Sequence, residues 1–144
     1  LNRGIIKFKL EDYKEAIADF DKAIELNQSY EDAYQLRGIA KRRLEDYDGA
    51  IADHDKEIEL NPRDENAYVF RGKAKRDSGD YVGAISDFNK AIELDPTDDE
   101  AYYDRGVVKE KLKDRKGACA DWKKGSELGN KACSESFKGY CTNI

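Results

Sequence analysis

Apolar residues fall along this chain at helical rather than strand spacing. Between positions 31 and 44, Ala33, Tyr34, Ile39, Ala40 and Leu44 recur at helix-like steps with no proline, which predicts a helix. Between 47 and 60, Tyr47, Ala50, Ile51, His54, Ile58 and Leu60 do the same. Asp46 stands between the two segments, where a carboxylate can cap the second. Asn61-Pro62 closes it, since proline disfavours helix in the residue before it. Asp80 and Asp95-Pro96 repeat this punctuation, and Asn27-Gln28-Ser29 makes the first turn without proline. No apolar run is long enough to cross a bilayer, so no membrane insertion is expected.

The pattern has a period. Gly4, Gly38, Gly72 and Gly106 are 34 residues apart, each preceded by an arginine (Arg3, Arg37, Arg71, Arg105). The rows Ala16, Ala50, Ala84, Ala118 and Asp19, Asp53, Asp87, Asp121 keep the same interval, as do Phe20, His54, Phe88 and Trp122. Gly38 and Ala50 are expected to let the two helices of a hairpin nearly touch. Larger residues such as Tyr34 with His54, or Tyr68 with Phe88, are expected to fill the wider gap between hairpins. A single hairpin cannot bury its own apolar face, so stacking stabilises the array. The arginine and aspartate rows recur together, which predicts ion pairs between the first and second helix of each unit. Breaking such a pair costs about 3–5 kcal/mol if it is buried.

With an aromatic, a glycine, an alanine, a bulky residue and a proline in fixed order, the unit resembles the tetratricopeptide repeat. Tyr34, Gly38, Ala50, His54 and Pro62 carry the resemblance in the second unit. Tyr68, Gly72, Ala84, Phe88, Ala91 and Pro96 carry it in the third, and Tyr102, Gly106, Ala118 and Trp122 in the fourth. It implies an all-α, right-handed superhelical solenoid of antiparallel helix pairs. About four repeats are expected, at 1–30 (first helix truncated), 31–64, 65–98 and 99–130, with a capping helix at 131–141. Arginine and lysine stand where the family usually has Leu before and Tyr after the glycine.

The resemblance also implies that the first helices line a concave face. The groove residues expected from it are Gln35, Leu36, Ile39, Arg42, Arg43, Val69, Phe70, Lys73, Arg76, Tyr103 and Val107. Asp32, Asn66, Asp77, Glu100, Asp104, Glu110 and Lys111 share that face. Charge changes this picture. Residues 31–44 and 65–78 each carry a net +2, whereas 47–60 carries −4, so a basic inner groove with an acidic outer surface is expected. Lysine and arginine in a helix's last turn also complement its dipole, which alone favours such clustering. The reading that follows is a non-catalytic protein–protein interaction scaffold. It would hold a peptide with acidic and apolar side chains, through Arg42, Arg43, Lys73 and Arg76 among others. The Lys/Asn clamp of the subgroup that holds chaperone C-termini is mostly missing. Two other readings compete: a regulatory or targeting module excised from a larger enzyme or envelope protein, and a self-associating assembly module.

Composition adds exclusions. The 144 residues are 40% charged with a net charge of −5, which argues against a nucleic-acid partner, whose phosphates call for cations. Methionine is absent even at position 1, so a processed chain or excised fragment is expected. Without a signal-like segment, a cytoplasmic location is the expectation. His54, the only histidine, reads as packing. No phosphate loop, nucleophile elbow or metalloprotease motif occurs, so neither enzyme activity nor a cofactor is expected. Cys133, Phe137, Tyr140 and Cys141 form one apolar stripe of the capping helix. Cys133 and Cys141, about 12 Å apart on such a helix, are beyond disulfide reach of each other. Free buried thiols are expected ahead of a disulfide from Cys119 to either of them, and no metal site is expected.

Overall fold

In the computed structural model, which describes residues 1–142, the chain is an all-α solenoid of helix pairs. The first helices are α1 (Asn2–Lys9), α3 (Glu31–Arg43), α5 (Glu65–Ser78) and α7 (Asp99–Lys111). Their partners are α2 (Tyr13–Leu26), α4 (Tyr47–Leu60), α6 (Tyr81–Leu94) and α8 (Arg115–Glu127). A short α9 (Lys131–Ser136) continues into a π-helical turn, Phe137–Cys141. No strand occurs among the described residues.

The tight turn inside each pair has a local cause. Asp46, Asp80 and Asp114 accept hydrogen bonds from the backbone N–H of Gly49, Gly83 and Gly117, at 3.0, 2.9 and 2.9 Å. A Cβ on any of these glycines would lie 2.1–2.2 Å from the capping carboxylate. In the first pair Glu15 occupies that place, and the equivalent bond from its N–H to Asp12 stretches to 3.5 Å. One residue before each cap the backbone is left-handed, with φ of 61°, 63° and 62° at Glu11, Glu45 and Lys113. Only Gly79, at φ 91°, is a residue suited to it.

The small-residue row has a different neighbour from the one expected. A Cβ on Gly4, Gly38, Gly72 or Gly106 would meet the ring of Phe20, His54, Phe88 or Trp122 within 3 Å. The rings therefore lie inside their own hairpins, over the glycines, instead of only between hairpins. Tyr34 does fill the gap between hairpins, against Ile24 of α2, Ala33 and Leu60. Phe20, Phe88 and Ala16, Ala50, Ala84, Ala118 are fully buried. Burying each phenyl contributes roughly 1.5–3 kcal/mol.

The predicted Arg–Asp pairs form, and they reach further than one hairpin. Arg37 donates from Nε and Nη2 to Asp53 at 2.9 and 2.6 Å, while its Nη1 donates to Asp21 of the preceding pair at 2.6 Å. Arg71 holds Asp87 in the same fork, at 2.9 and 2.6 Å, and reaches back to Asp55 at 2.7 Å. Arg105 holds Asp121 at 2.9 and 2.6 Å and reaches back to Asn89 at 2.7 Å. Lys41, Lys75 and Lys109 contact the same aspartates at 2.9, 2.9 and 2.8 Å. Each guanidinium also sits over the tyrosine three residues earlier, 5.5–5.7 Å from the ring centre. The charged rows thus stitch every pair to its predecessor.

The C-terminal segment corrects the expectation for the cysteines. Cys133, Cys141, Phe137 and Tyr140 pack with Ala118 and Trp122, so the segment lies on α8. That docking brings Cys141 to Cys119, 5.7 Å apart between Cα atoms, and the two form a disulfide. Only Cys133 remains a free, buried thiol among the described residues, and burial pushes its pKa up to about 11.

Candidate functional site

Successive first helices contact one another (α1 with α3, α3 with α5, α5 with α7), whereas successive second helices make no comparable contact among the described residues. The stack is therefore tighter on the first-helix side, which makes that side the inside of the curve. Ion pairs bridge this inner side. Arg42 of α3 pairs with Asp77 of α5 at 2.7 Å, and Lys73 and Arg76 of α5 pair with Glu100 and Asp104 of α7. Side chains three or four residues from these bridging groups share the same helix face. Ile39 on α3, Phe70 on α5 and Val107 on α7 are placed in this way, Leu36 lies a further three-residue step along α3 from Ile39, and all four are half-buried.

The groove residues expected from sequence thus divide by row. The row three before each glycine is drawn into packing. Gln35 donates to Glu57 of α4 at 2.8 Å. Val69, 3% exposed, belongs to the core with Ala84 and Phe88. Tyr103 packs against the Trp122 cluster, and its carbonyl accepts from the Trp122 indole at 3.3 Å. Val69 is therefore not a surface residue, because its position on the helix turns it toward its own hairpin. The remaining rows, with Leu36, Ile39, Arg42, Phe70, Lys73, Arg76 and Val107, lie along the inner side, and of these Val107 also packs against the Trp122 cluster. Arg43 is exposed and has no ion-pair partner among the described residues.

Electrostatics differs from a bare basic groove. Arg42, Lys73 and Arg76 are each matched by a carboxylate, and Lys41 and Lys75 point to the second helices. Burial alone would lower the Arg76 pKa, but Asp104 and Asp77 outweigh it and hold the guanidinium above its ordinary value. Asp104 is the buried focus. Burial raises its carboxyl above the usual range, against the pull of Lys73 and Arg76. Its Oδ2 has no hydrogen-bond partner among the described residues and lies 3.5 Å from Lys73 Nζ. The acidic residues that neutralise the groove were legible as Asp77, Glu100 and Asp104 on the same inward rows.

One polar cluster was not foreseen. His54 Nδ1 lies 2.9 Å from Glu57 Oε2, with both side chains fully buried, and His54 stacks on Phe70 with ring centres 5.7 Å apart. Glu57 stands where the other units have Ala23, Ala91 and Gly125. Glu31 and Asp64 bring carboxylate oxygens within 4.8 Å of Glu57. All three are engaged locally, Glu57 by His54 and Gln35, Glu31 by Asn61 and Asp64 as the cap of α5.

Two tetratricopeptide repeat models match the sequence, one over residues 1–30 and one over 72–113. The chain is a tetratricopeptide repeat protein. Among solved structures, the repeat domain is similar to a MamA fragment from Desulfovibrio magneticus RS-1, at 26% identity and TM-score 0.82, covering 87% of this chain and 70% of that one. It is also similar to the Arabidopsis OM64 TPR domain, at 25% identity and TM-score 0.73, covering 79% and 96%. The first TPR of Spaghetti (RPAP3), bound to an HSP90 peptide, shares the fold at 22% identity and TM-score 0.72, covering 76% and 89%. No curated protein matches at the sequence level. Tetratricopeptide repeats are in general a protein–protein interaction fold, and among the described residues no helix is long and apolar enough to cross a membrane.

Proposed function

We propose that this protein is a non-catalytic scaffold that holds a peptide segment of a partner along its inner side. The observation that carries the reading is the half-buried apolar line of Leu36, Ile39, Phe70 and Val107, set among ion pairs that join α3, α5 and α7. The pairs fix the spacing of the helices, and the line offers the apolar area of Leu36 and Ile39 together with the still accessible parts of Phe70, which stacks on His54, and Val107, which packs on the Trp122 cluster. A pre-set surface of this kind binds without a large ordering cost. The matched charges favour a partner whose affinity comes first from apolar side chains. Exposed Arg43 at the edge, and the Arg42, Lys73 and Arg76 donors already held in place, then select acidic groups flanking them. A peptide seated on a shared fold, as in the Spaghetti structure, supports the same mode of use.

The test is titration of fluorescent peptides that combine apolar and acidic residues against the wild type and Ile39→Asp. Saturable binding is expected, weakened at least about tenfold by a charge at the centre of the apolar line. Binding unchanged in Ile39→Asp, with its helicity intact, would place the partner elsewhere.

A further inference from the structure

Because the antiparallel pairs stack in series, the tight turn between first and second helix falls on the same long edge of the solenoid in every unit. Six large apolar side chains are exposed among the described residues, and four of them lie on that edge. Leu10, Leu44 and Leu112 end α1, α3 and α7 and are 74%, 39% and 45% exposed. The third unit has Ser78 in that row and instead exposes Val82, in the first turn of α6, at 76%. The edge is open in interior units as well as outer ones, so its exposure is a property of the repeat itself. An apolar position recurring in every unit of one edge marks an interaction surface.

Charge along the edge changes sign. Residues 43–48, around Leu44, carry a net −2, from Arg43 against Glu45, Asp46 and Asp48. Residues 111–116, around Leu112, carry a net +3, from Lys111, Lys113, Arg115 and Lys116 against Asp114. Glu45, Asp48, Lys113 and Lys116 are exposed and have no ion-pair partner among the described residues. The acidic turn lies one unit before Val82 and the basic turn one unit after it. The carboxylates nearest Val82 are already engaged: Asp80 caps α6, and Asp77 pairs with Arg42 and Arg76.

We infer that this edge associates with the same edge of a second copy, running in the opposite direction, about a two-fold axis at Val82. The two Val82 side chains meet on the axis. On either side Leu44 of one copy faces Leu112 of the other, and Glu45 and Asp48 face Lys113 and Lys116. This register uses all three apolar positions and sets each acidic turn against a basic one. Edges running in the same direction would set each turn against its own copy, with like charges opposed. Leu10, two units from the axis, lies outside the contact. Three turns a side make a small contact of mixed apolar and charged character, which fits a reversible dimer. The edge is built from turns and the groove from helix faces, so either reading can fail without the other.

Sedimentation velocity of the full chain, at concentrations up to about 1 mM, reads the association. A monomer–dimer equilibrium is expected, and it weakens as salt is raised. Val82→Lys puts like charges on the axis and is expected to raise the dimer dissociation constant at least about tenfold, as is Asp48→Lys. Lysine already stands at this place in two units, as Lys14 and Lys116, so the fold accepts it, and circular dichroism checks each variant. Adding Lys116→Asp to Asp48→Lys is expected to restore association, because both sides of the contact are then reversed. Val82→Cys is expected to give a disulfide-linked dimer on air oxidation, since the axis brings the two positions together. A monomer throughout the concentration range, or no cross-link through Val82→Cys, would overturn the inference. So would an equal loss in Leu10→Lys, or association abolished by Ile39→Asp, since the contact would then lie elsewhere.

Discussion

His54 and Glu57 form a fully buried pair, Nδ1 to Oε2 at 2.9 Å, at positions that hold Phe88 and Ala91 one unit later. The two replacements depend on each other. A buried carboxylate needs a partner, and a buried imidazole needs a use for its ring nitrogen. Gln35 completes the arrangement by donating to Glu57, so a side chain of the inner row is anchored by a polar group in the core.

His54→Phe alone is expected to lower stability by about 3–5 kcal/mol, because it leaves Glu57 buried with only Gln35 as donor. His54→Phe with Glu57→Ala restores the pattern of the third unit. It is expected to be neutral or stabilising, by up to about 4 kcal/mol. Urea unfolding of the two variants and the wild type makes the comparison.

Glu45 and Lys113 hold left-handed backbone at φ of 63° and 62°, where Gly79 serves in the equivalent turn. Glu45→Gly and Lys113→Gly are each expected to raise stability by about 1 kcal/mol, and Gly79→Ala to lower it by a similar amount. Thermal melts read the sign directly. No change in packing is involved, since a Cβ on Gly79 would meet nothing within 4 Å.

Arg71→Ala is expected to cost about 3 kcal/mol, because Asp87 is buried and would keep only Lys75 as a charged partner. Arg3→Ala should cost clearly less, as Arg3 is largely exposed and joins no preceding helix. Equal losses in chemical unfolding would contradict the stitching of each pair to its predecessor.

Cys119→Ser with Cys141→Ser removes a cross-link spanning 22 residues and is expected to cost about 3 kcal/mol. Cys133 gives a pH signature. Its thiol stays protonated in the fold up to about 11, whereas in the unfolded chain it ionises near the ordinary thiol range. Between the two, the unfolded state binds fewer protons, so stability falls as pH rises from the ordinary thiol pKa to about 11. Melts of Cys133→Ala across that window should show a shallower decline than the wild type.

The period, the helix pairs and the Arg–Asp rows were legible because each recurs at 34 residues, and repetition separates signal from chance. The groove was less so. Helical spacing assigns Val69 and Phe70 to neighbouring directions, but only the position of α6 decides that Val69 is covered. Arg42, Lys73 and Arg76 carry visible charge, yet their partners lie a full unit away on the next first helix. The disulfide depended on how the last segment docks on α8, which neither Cys119 nor Cys141 encodes by itself. The Glu57 substitution was visible in the row Ala23, Glu57, Ala91, Gly125, and a carboxylate in a row of small residues is the mark of a buried pair.

The most direct measurement is a nitrogen–proton correlation spectrum of the labelled protein, recorded during addition of a peptide combining apolar and acidic residues. The account predicts saturable shifts concentrated on Leu36, Ile39, Phe70, Lys73 and Val107 of α3, α5 and α7. Shifts confined to α2, α4, α6 and α8 would contradict it.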